Sequence, residues 1–139
     1  MNSFSTQIKV RWADVDSNQH VRHSAYYDYG AHCRIQFFIE CGFPLQKFQE
    51  LGIGPILFHE ECSFLKEIKM EETITINLLK GEIRDDGSRW ALHHEIFNSK
   101  NEKCAHIIVK GAWMDLTKRK LTLPPEELAE KFLGLEEKV

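Results

Sequence analysis

The chain has 139 residues, of which 42% are hydrophobic and 28% charged, with a net charge of −3 and an isoelectric point near 6.2. This length fits one domain, residues 1–139, whose core is large enough to fold without disulfides or a structural metal. The slightly acidic charge argues against a nucleic acid or an anionic membrane as the partner. No apolar run approaches the roughly 20 residues that a membrane-spanning helix needs.

The cysteines are widely spaced and form no Cys-x-x-Cys pair; they are Cys33, Cys41, Cys62 and Cys104. Residues 1–6 contain neither the basic run nor the apolar core of an export signal. Both features indicate a cytoplasmic protein whose thiols stay reduced.

The first half of the chain predicts a strand followed by a long buried helix. Residues 6–12 alternate apolar and polar side chains, which places Trp12 on the buried face of a strand. Residues 24–41 then carry apolar side chains at spacings of three and four, over most of the circumference of a helix. Ser24 is expected to cap this helix, and Gly42 is expected to end it.

The second half predicts a short surface helix, four strands and a C-terminal helix. Gly87 marks a hairpin turn, and Pro124 precedes the last helix. The other predicted elements are Leu45–Leu51 for the short helix and residues 56–65, 73–84, 89–97 and 103–115 for the strands. This order favours an α+β fold in which a curved antiparallel five-stranded sheet wraps around one long central helix. Such a sheet has an open edge, so pairing with a second copy is expected.

The residues between the first strand and the long helix form a polar cluster. They comprise two carboxylates, one amide and two imidazoles, namely Asp14, Asp16, Asn18, His20 and His23. Loops held by packed elements are where proteins usually place their chemistry. This segment is therefore the predicted functional site.

The cluster also carries a family resemblance. The run Asp16-Ser-Asn-Gln-His20-Val, followed by Tyr26 and the long helix, resembles the hotdog-fold thioesterases. It is most similar to the 4-hydroxybenzoyl-CoA thioesterase-like acyl-CoA thioesterases, and also to the Asp-x-Asn-x-His-Val-Asn-Asn-x-x-Tyr stretch of acyl-carrier-protein thioesterases. The resemblance covers nearly the whole chain. The chain departs from the family pattern after His20-Val, where Arg22-His23 replaces an Asn-Asn pair, and at Glu67, where many members have Pro.

The resemblance implies a hydrolase that cleaves the thioester of an acyl-CoA or an acyl-carrier protein. In that family an acidic residue of this loop acts as nucleophile or general base, and by position this residue is Asp16, with Asn18 and His20 beside it. Backbone N–H groups at the helix start, here those of His23 and Ser24, polarise the thioester carbonyl. The family uses no metal and no bound cofactor, since coenzyme A enters only as part of the substrate. Its pockets lie at subunit interfaces, which implies a homodimer or homotetramer.

General physical chemistry supports this assignment. The first turn of a helix has unpaired N–H groups and a partial positive charge, and both favour the oxyanion that forms when a thioester carbonyl is attacked. The same field keeps a nearby aspartate ionised. A thioester is already activated, so no Ser-His-Asp triad is needed, and the sequence contains no Gly-x-Ser-x-Gly motif.

Most residues of the cluster also have a simpler interpretation. Asp16 is a suitable Asx-turn residue that shapes the loop. Asp14 is expected to be structural and paired with Arg11, with an acid–base pair between the two aspartates as the alternative. Asn18 and His20 either orient Asp16 or a water, or satisfy backbone groups of the loop.

A metal site is the main rival use of these polar residues. His20 and His23 form a His-x-x-His pair, but an irregular loop lacks the helical i, i+4 spacing of the zinc hydrolases. No metal is therefore expected. His23 is expected to contribute through its backbone at the start of the helix, and its ring is expected to have no role.

Three further residues are candidate substrate contacts. Tyr26 and Tyr27 are candidates for the border of an acyl pocket, although the aromatic side chains of this helix are expected mainly in the core. His59 is a candidate pocket residue, with a position on the surface or the sheet face as the simpler expectation.

Two other functions stay open at this point. One is a hotdog-fold enoyl-CoA hydratase or dehydratase, whose signature usually places the His five residues after the Asp, whereas His20 follows Asp16 by four. The other is a non-catalytic acyl-binding module on the same fold.

Overall fold

The computed structural model describes residues 3–139, which form six strands, three α-helices and one 3₁₀ turn at Trp12–Asp14. The strands are β1 Phe4–Lys9, β2 Ile53–Phe64, β3 Thr73–Ile83, β4 Arg89–Phe97, β5 Lys103–Asp115 and β6 Lys120–Thr122. The helices are α1 Ala25–Glu40, α2 Leu45–Leu51 and α3 Glu126–Leu133.

All of the strands belong to one antiparallel sheet. Its order is β1-β3-β4-β5-β2, and β6 pairs with β5 beside this path. The long helix α1 packs on one face of the sheet, against β1, β2 and β3. This arrangement confirms the expected α+β fold, with an antiparallel sheet around one long central helix. The helix is buried on one face only, because Ile35 and Ile39 on its other side are exposed, so the expectation of a helix buried around most of its circumference is wrong.

The main path contains the five predicted strands, and β6 adds a sixth that the sequence pattern did not predict. The chain reverses after β5 because the Asp115 carboxylate accepts the N–H groups of Thr117 and Lys118, each at 2.9 Å. Arg119 completes the reversal with a φ of 57°. The three residues of β6 then pair with the end of β5.

The prediction for the first strand is wrong at its end. Strand β1 stops at Lys9, and Trp12 lies in the 3₁₀ turn with 78% of its surface exposed. The cause is Asp14, which turns inward and accepts hydrogen bonds from the Arg11 backbone N–H at 3.1 Å and from its guanidinium at 2.8 Å. These bonds close the turn and rotate the indole into solvent.

The core lies between the helices and the inner face of the sheet. Phe132 of α3 is fully buried and stacks on Phe37 and Phe38 of α1, with ring centroids 6.0 and 5.9 Å apart. The Trp113 indole N–H donates to the Gly87 carbonyl at 3.0 Å, which ties β5 to the β3–β4 hairpin. Helix α1 ends at the predicted place, with Gly42 at a φ of 87°.

Strand β2 forms an edge of the sheet. Among the described residues it pairs only with β5, so its other edge is open. Leu57, Phe58 and Phe64 of this strand are exposed. An open edge with exposed apolar side chains is typical of a surface that pairs with another chain.

Across residues 3–139, every helix is too short or too polar to span a bilayer.

Candidate active site

The loop between the 3₁₀ turn and α1 is held by backbone hydrogen bonds on two sides. Across the loop, the Asp16 N–H donates to the His20 carbonyl at 2.8 Å. Towards the β2–β3 connection, the Val21 N–H donates to the Ile68 carbonyl at 2.8 Å. Gln19, at the tip of the loop, has a φ of 64°. The loop is therefore a fixed part of the fold.

Asp14 points into the protein and does not line the site. Its side chain is 2% exposed, pairs with Arg11 at 2.8 Å and accepts the Tyr29 hydroxyl at 2.9 Å. Burial acts to raise the pKa of Asp14, but the hydrogen bonds from Arg11 and Tyr29 outweigh it and hold the pKa below its usual value. The expected pairing with Arg11 is present, and an acid–base pair with Asp16 is not formed.

Asp16 points outward and uses one carboxylate oxygen to shape the loop. Its Oδ1 accepts the backbone N–H groups of Asn18 at 2.9 Å and His20 at 3.2 Å, which is an Asx-turn geometry. Within residues 3–139 the other oxygen, Oδ2, accepts no hydrogen bond. The structural interpretation of Asp16 is thus correct for one oxygen, and the second oxygen remains free for a ligand.

A cavity of about 410 Å³ lies beside this carboxylate. Its walls come from the loop, from the first turn of α1 and from the end of β2, and consist of Asp16, His20, Val21, His23, Tyr26, Phe64, Leu65, Lys66 and Glu67. Four residues that the sequence proposed for the site therefore meet here. They are Asp16, His20, His23 and Tyr26.

The backbone N–H groups just before α1 were the proposed carbonyl donors; of these residues, His23 lines the cavity and Ser24 does not. The Ala25 N–H donates to the Arg22 carbonyl at 3.0 Å, whereas the N–H groups of His23 and Ser24 have no acceptor within residues 3–139. Ser24 does not cap the helix with its side chain as expected. Its hydroxyl instead accepts a hydrogen bond from the Arg22 guanidinium. The two donors proposed for carbonyl polarisation are therefore unoccupied.

The other proposed residues lie outside the cavity. The Asn18 side chain is exposed and its backbone N–H serves the Asx turn. Tyr27 is half-buried, with Cys62, Glu60 and Glu61 of β2 among its neighbours. His59 pairs with Glu61 at 3.1 Å and lines a separate cavity on the sheet.

Glu67 is a cavity residue that the sequence did not assign to the site. Its Oε2 lies 3.2 Å from Nε2 of His20. Phe64, also unassigned, packs edge-to-face on Tyr26 with ring centroids 4.9 Å apart. The only sequence signal for Glu67 was its presence where many members of the similar family have Pro.

A buried polar cluster lies deeper, between α1 and the sheet. The His94 Nδ1–H donates to the Asn77 carbonyl at 2.7 Å, which leaves Nε2 to accept from the Arg34 guanidinium at 3.0 Å. Glu60 lies 3.9 Å from the same guanidinium. Burial, reinforced by the charge of Arg34, lowers the pKa of His94 to about 3. The alternation of Leu92, His94 and Ile96 was a sequence signal that His94 faces the core.

No group of three or more His, Cys, Asp or Glu side chains within residues 3–139 is arranged to hold a metal ion. His20 and His23 line the same cavity, and the Glu67 carboxylate lies 3.2 Å from His20 Nε2.

Comparison with known proteins gives one curated relative and many similar structures. The curated relative is the "Putative esterase" of Aquifex aeolicus (strain VF5), 26% identical over 75 residues. The match covers 54% of this chain and 59% of that protein, so it spans less than two thirds of the relative's length.

Two solved structures illustrate the similarity of the fold. The hypothetical protein SAV2348 from Staphylococcus aureus, in complex with CoA, has a TM-score of 0.89 at 15% identity, over 99% of this chain and 88% of that one. Slr0204, a 1,4-dihydroxy-2-naphthoyl-CoA thioesterase from Synechocystis, has a TM-score of 0.85 at 17% identity, over 96% of this chain and 98% of that one. These likenesses confirm the hotdog fold.

The family follows from a more specific match. Residues 10–132 fit the model of the thioesterase-like superfamily. This range contains the loop, α1, the sheet from β2 to β6 and most of α3. The predicted thioester-hydrolase class agrees with this match. The chain therefore belongs to the thioesterase-like superfamily.

Proposed function

We propose that this chain forms one domain that hydrolyses the thioester of an acyl-CoA or an acyl-carrier protein to a free acid and a thiol, with Asp16 as the general base or nucleophile. The observation that carries the proposal is the position of the Asp16 carboxylate. One of its oxygens fixes the loop, the other is free, and the cavity beside it begins at the N-terminus of α1.

The reaction follows from these groups. In the general-base form, Asp16 takes a proton from a water molecule while the water oxygen bonds to the carbonyl carbon, and the carbon–sulfur bond then breaks. The free N–H groups of His23 and Ser24 are the proposed donors to the carbonyl oxygen as it becomes negative. The partial positive charge at the start of the 16-residue helix α1 acts in the same direction.

The cavity has a polar side and an apolar side. Tyr26 and Phe64 form an aromatic wall, which we propose borders the acyl group, while Tyr27 and His59 lie outside this cavity. The complex of SAV2348 with CoA and the stated activity of Slr0204 support a CoA thioester as the substrate. Coenzyme A enters as part of the substrate, and the proposal includes no other cofactor.

We also propose a cytoplasmic homodimer or homotetramer. The open edge of β2 and its exposed apolar side chains support assembly with a second copy. A second subunit would also give the Asp16 cavity an opposite wall that excludes water. Light scattering should give at least a dimer at working concentration, whereas an active monomer would contradict this part of the proposal.

The decisive experiment is Asp16→Asn, assayed for free-thiol release from a panel of acyl-CoA esters. The substitution removes the proton acceptor at nearly constant volume, so we expect turnover to fall roughly 10²–10⁴-fold while the circular dichroism spectrum is unchanged. Asp28→Asn is the matched control, because Asp28 is an exposed carboxylate in the first turn of α1 that does not line the cavity.

The same panel separates the alternatives. Full turnover by Asp16→Asn would show that a residue other than Asp16 is the general base or nucleophile. Hydration of an enoyl-CoA without thiol release would identify a hydratase. Binding of acyl-CoA without any reaction would identify a non-catalytic acyl-binding module.

A further inference from the structure

We infer that His20 and Glu67 form a proton-delivery pair for the leaving group, in which His20 protonates the departing thiolate and Glu67 is the positioning residue. The inference rests on the proposed thioester hydrolysis and adds a role for a glutamate outside the loop. It concerns a second proton transfer, separate from the one assigned to Asp16.

The pair is defined by one close contact inside the cavity. His20 Nε2 lies 3.2 Å from Glu67 Oε2, and their side chains are 35% and 54% exposed. Both residues line the cavity that contains Asp16. Because Nε2 is the ring nitrogen that faces Glu67, Nδ1 is the ring nitrogen left to act on a substrate.

The backbone around the pair is fixed on both sides. His20 and Lys69 form an antiparallel bridge, and the following Ile68–Val21 hydrogen bond is 2.8 Å long. Ile68, next to Glu67, is fully buried. On the other side of Glu67, the Lys66 N–H donates to the Cys104 carbonyl at 3.1 Å. The two side chains therefore meet because their segments are joined, unlike a surface ion pair between flexible elements.

The chemistry needs such a proton donor. A thioester and a water molecule give a carboxylate, a thiol and one proton, and the sulfur leaves as a thiolate that must be protonated. In the proposed step the Nδ1–H of the His20 imidazolium transfers its proton to sulfur as the carbon–sulfur bond breaks. The Glu67 carboxylate lies against the Nε2 side of the ring and positions it. His20 then regains a proton from solvent, into which Asp16 releases the proton that it took from water.

The test compares two thioesters with the same acyl group and different leaving thiols. One is the CoA ester, and the other is an ester of a nitrothiophenol, whose more acidic thiol leaves without a proton. We expect His20→Gln to lower kcat on the CoA ester roughly 10²–10⁴-fold. Glu67→Gln should lower it by a smaller factor, roughly 10-fold, because it removes the charge beside the ring and leaves the imidazole in place.

On the nitrothiophenyl ester both variants should stay close to the wild-type rate, because that leaving group needs no acid. Asp16→Asn should be slow on both esters, since attack precedes the leaving step. Glu71→Gln is the matched control: Glu71 is an exposed glutamate in the same β2–β3 connection and does not line the cavity. Circular dichroism of every variant confirms that it has folded.

Each outcome decides one claim. Equal losses on both esters for His20→Gln and Glu67→Gln would show that the pair only shapes the loop, and would overturn the inference. Unchanged rates on both esters would identify an ordinary surface ion pair, with the same consequence. A fully active Asp16→Asn would instead contradict the proposed function, whatever the result for the pair.

Discussion

The guanidinium of Arg34 donates a hydrogen bond to Nε2 of His94 across 3.0 Å, in the interior between α1 and β4. Gly30 makes room for this contact, because a Cβ at that position would lie 3.3 Å from both Arg34 Nη1 and His94 Cδ2. A buried guanidinium with a neutral imidazole as its hydrogen-bond partner is costly to desolvate, and Glu60, 3.9 Å away, offsets only part of that cost.

This contact predicts how stability depends on pH. The folded-state pKa of His94 is about 3, below the ordinary value of 6.5, so the unfolded chain takes up the proton first as the pH falls. The free energy of unfolding should therefore decrease below about pH 6.5, by about 1.4 kcal/mol per pH unit from this group, down to about pH 3. Urea titrations at pH 7.5 and pH 5 measure the effect.

The variant His94→Gln isolates this contribution. It cannot take up a proton, so the difference in unfolding free energy between pH 7.5 and pH 5 should shrink even though the variant is less stable at both values. The exposed His32→Gln is the matched control and should keep the wild-type difference. Identical pH dependence in His94→Gln and the wild type would contradict the prediction.

Tyr29→Phe tests the attachment of the loop to α1. The hydroxyl donates to Asp14 at 2.9 Å, and this is a buried hydrogen bond to a charged acceptor. Its loss should lower the free energy of unfolding by about 1.5–3 kcal/mol. Turnover should also fall, because Asp14 closes the turn that leads into the loop of Asp16. A variant as stable as the wild type would show that the pairing with Arg11 is enough to hold Asp14 in place.

Gly111→Ala tests the packing of the edge strand. A Cβ at Gly111 would lie 2.2 Å from the Ile56 carbonyl oxygen and 2.6 Å from the Trp90 ring, so β2 would have to move away from β5. We expect a loss of about 1–3 kcal/mol or more in unfolding free energy. Gly54→Ala, also on the β2–β5 pair, is the control, because its Cβ would meet only Leu116 at an ordinary 3.4 Å.

Exhaustive dialysis against a chelator should leave thiol release unchanged. The reason is the donor set: no third ligand joins His20 and His23 in a metal-holding arrangement in the described part of the chain. Inactivation by the chelator that added Zn²⁺ or Mn²⁺ reverses would overturn this view and make these histidines a metal site.

The sequence predicted the long elements well because their patterns are regular and their ends are marked. Strands β4 and β5 begin and end at the predicted residues, since alternating side chains run between clear turns. Strand β6 escaped prediction because three residues carry no periodicity. Its position depends on Asp115 and on the positive φ of Arg119, which are properties of the turn.

At the candidate site, too, the sequence predicted what is local and missed what depends on the fold. Asp16, His20, His23 and Tyr26 could be grouped because they are close together in the sequence. Glu67 could not be grouped with them, because His20, its neighbour in space, is 47 positions away in the sequence. An isolated glutamate between two strands is also normally expected to be exposed to solvent. Arg34 and His94 were missed for a similar reason, since their pairing depends on how α1 lies across the sheet.

The two-sided attachment of the Asp16 loop has a consequence for the entropy of substrate binding. Fixing one flexible residue costs roughly 1–2 kcal/mol of conformational entropy, so ordering a free loop of this length would consume much of the binding free energy of a small acyl group. Here that ordering is complete once the chain has folded, through the bonds of Asp16 with His20 and of Val21 with Ile68. The free energy of binding the thioester can then act on the transition state, and not on arranging the protein around it.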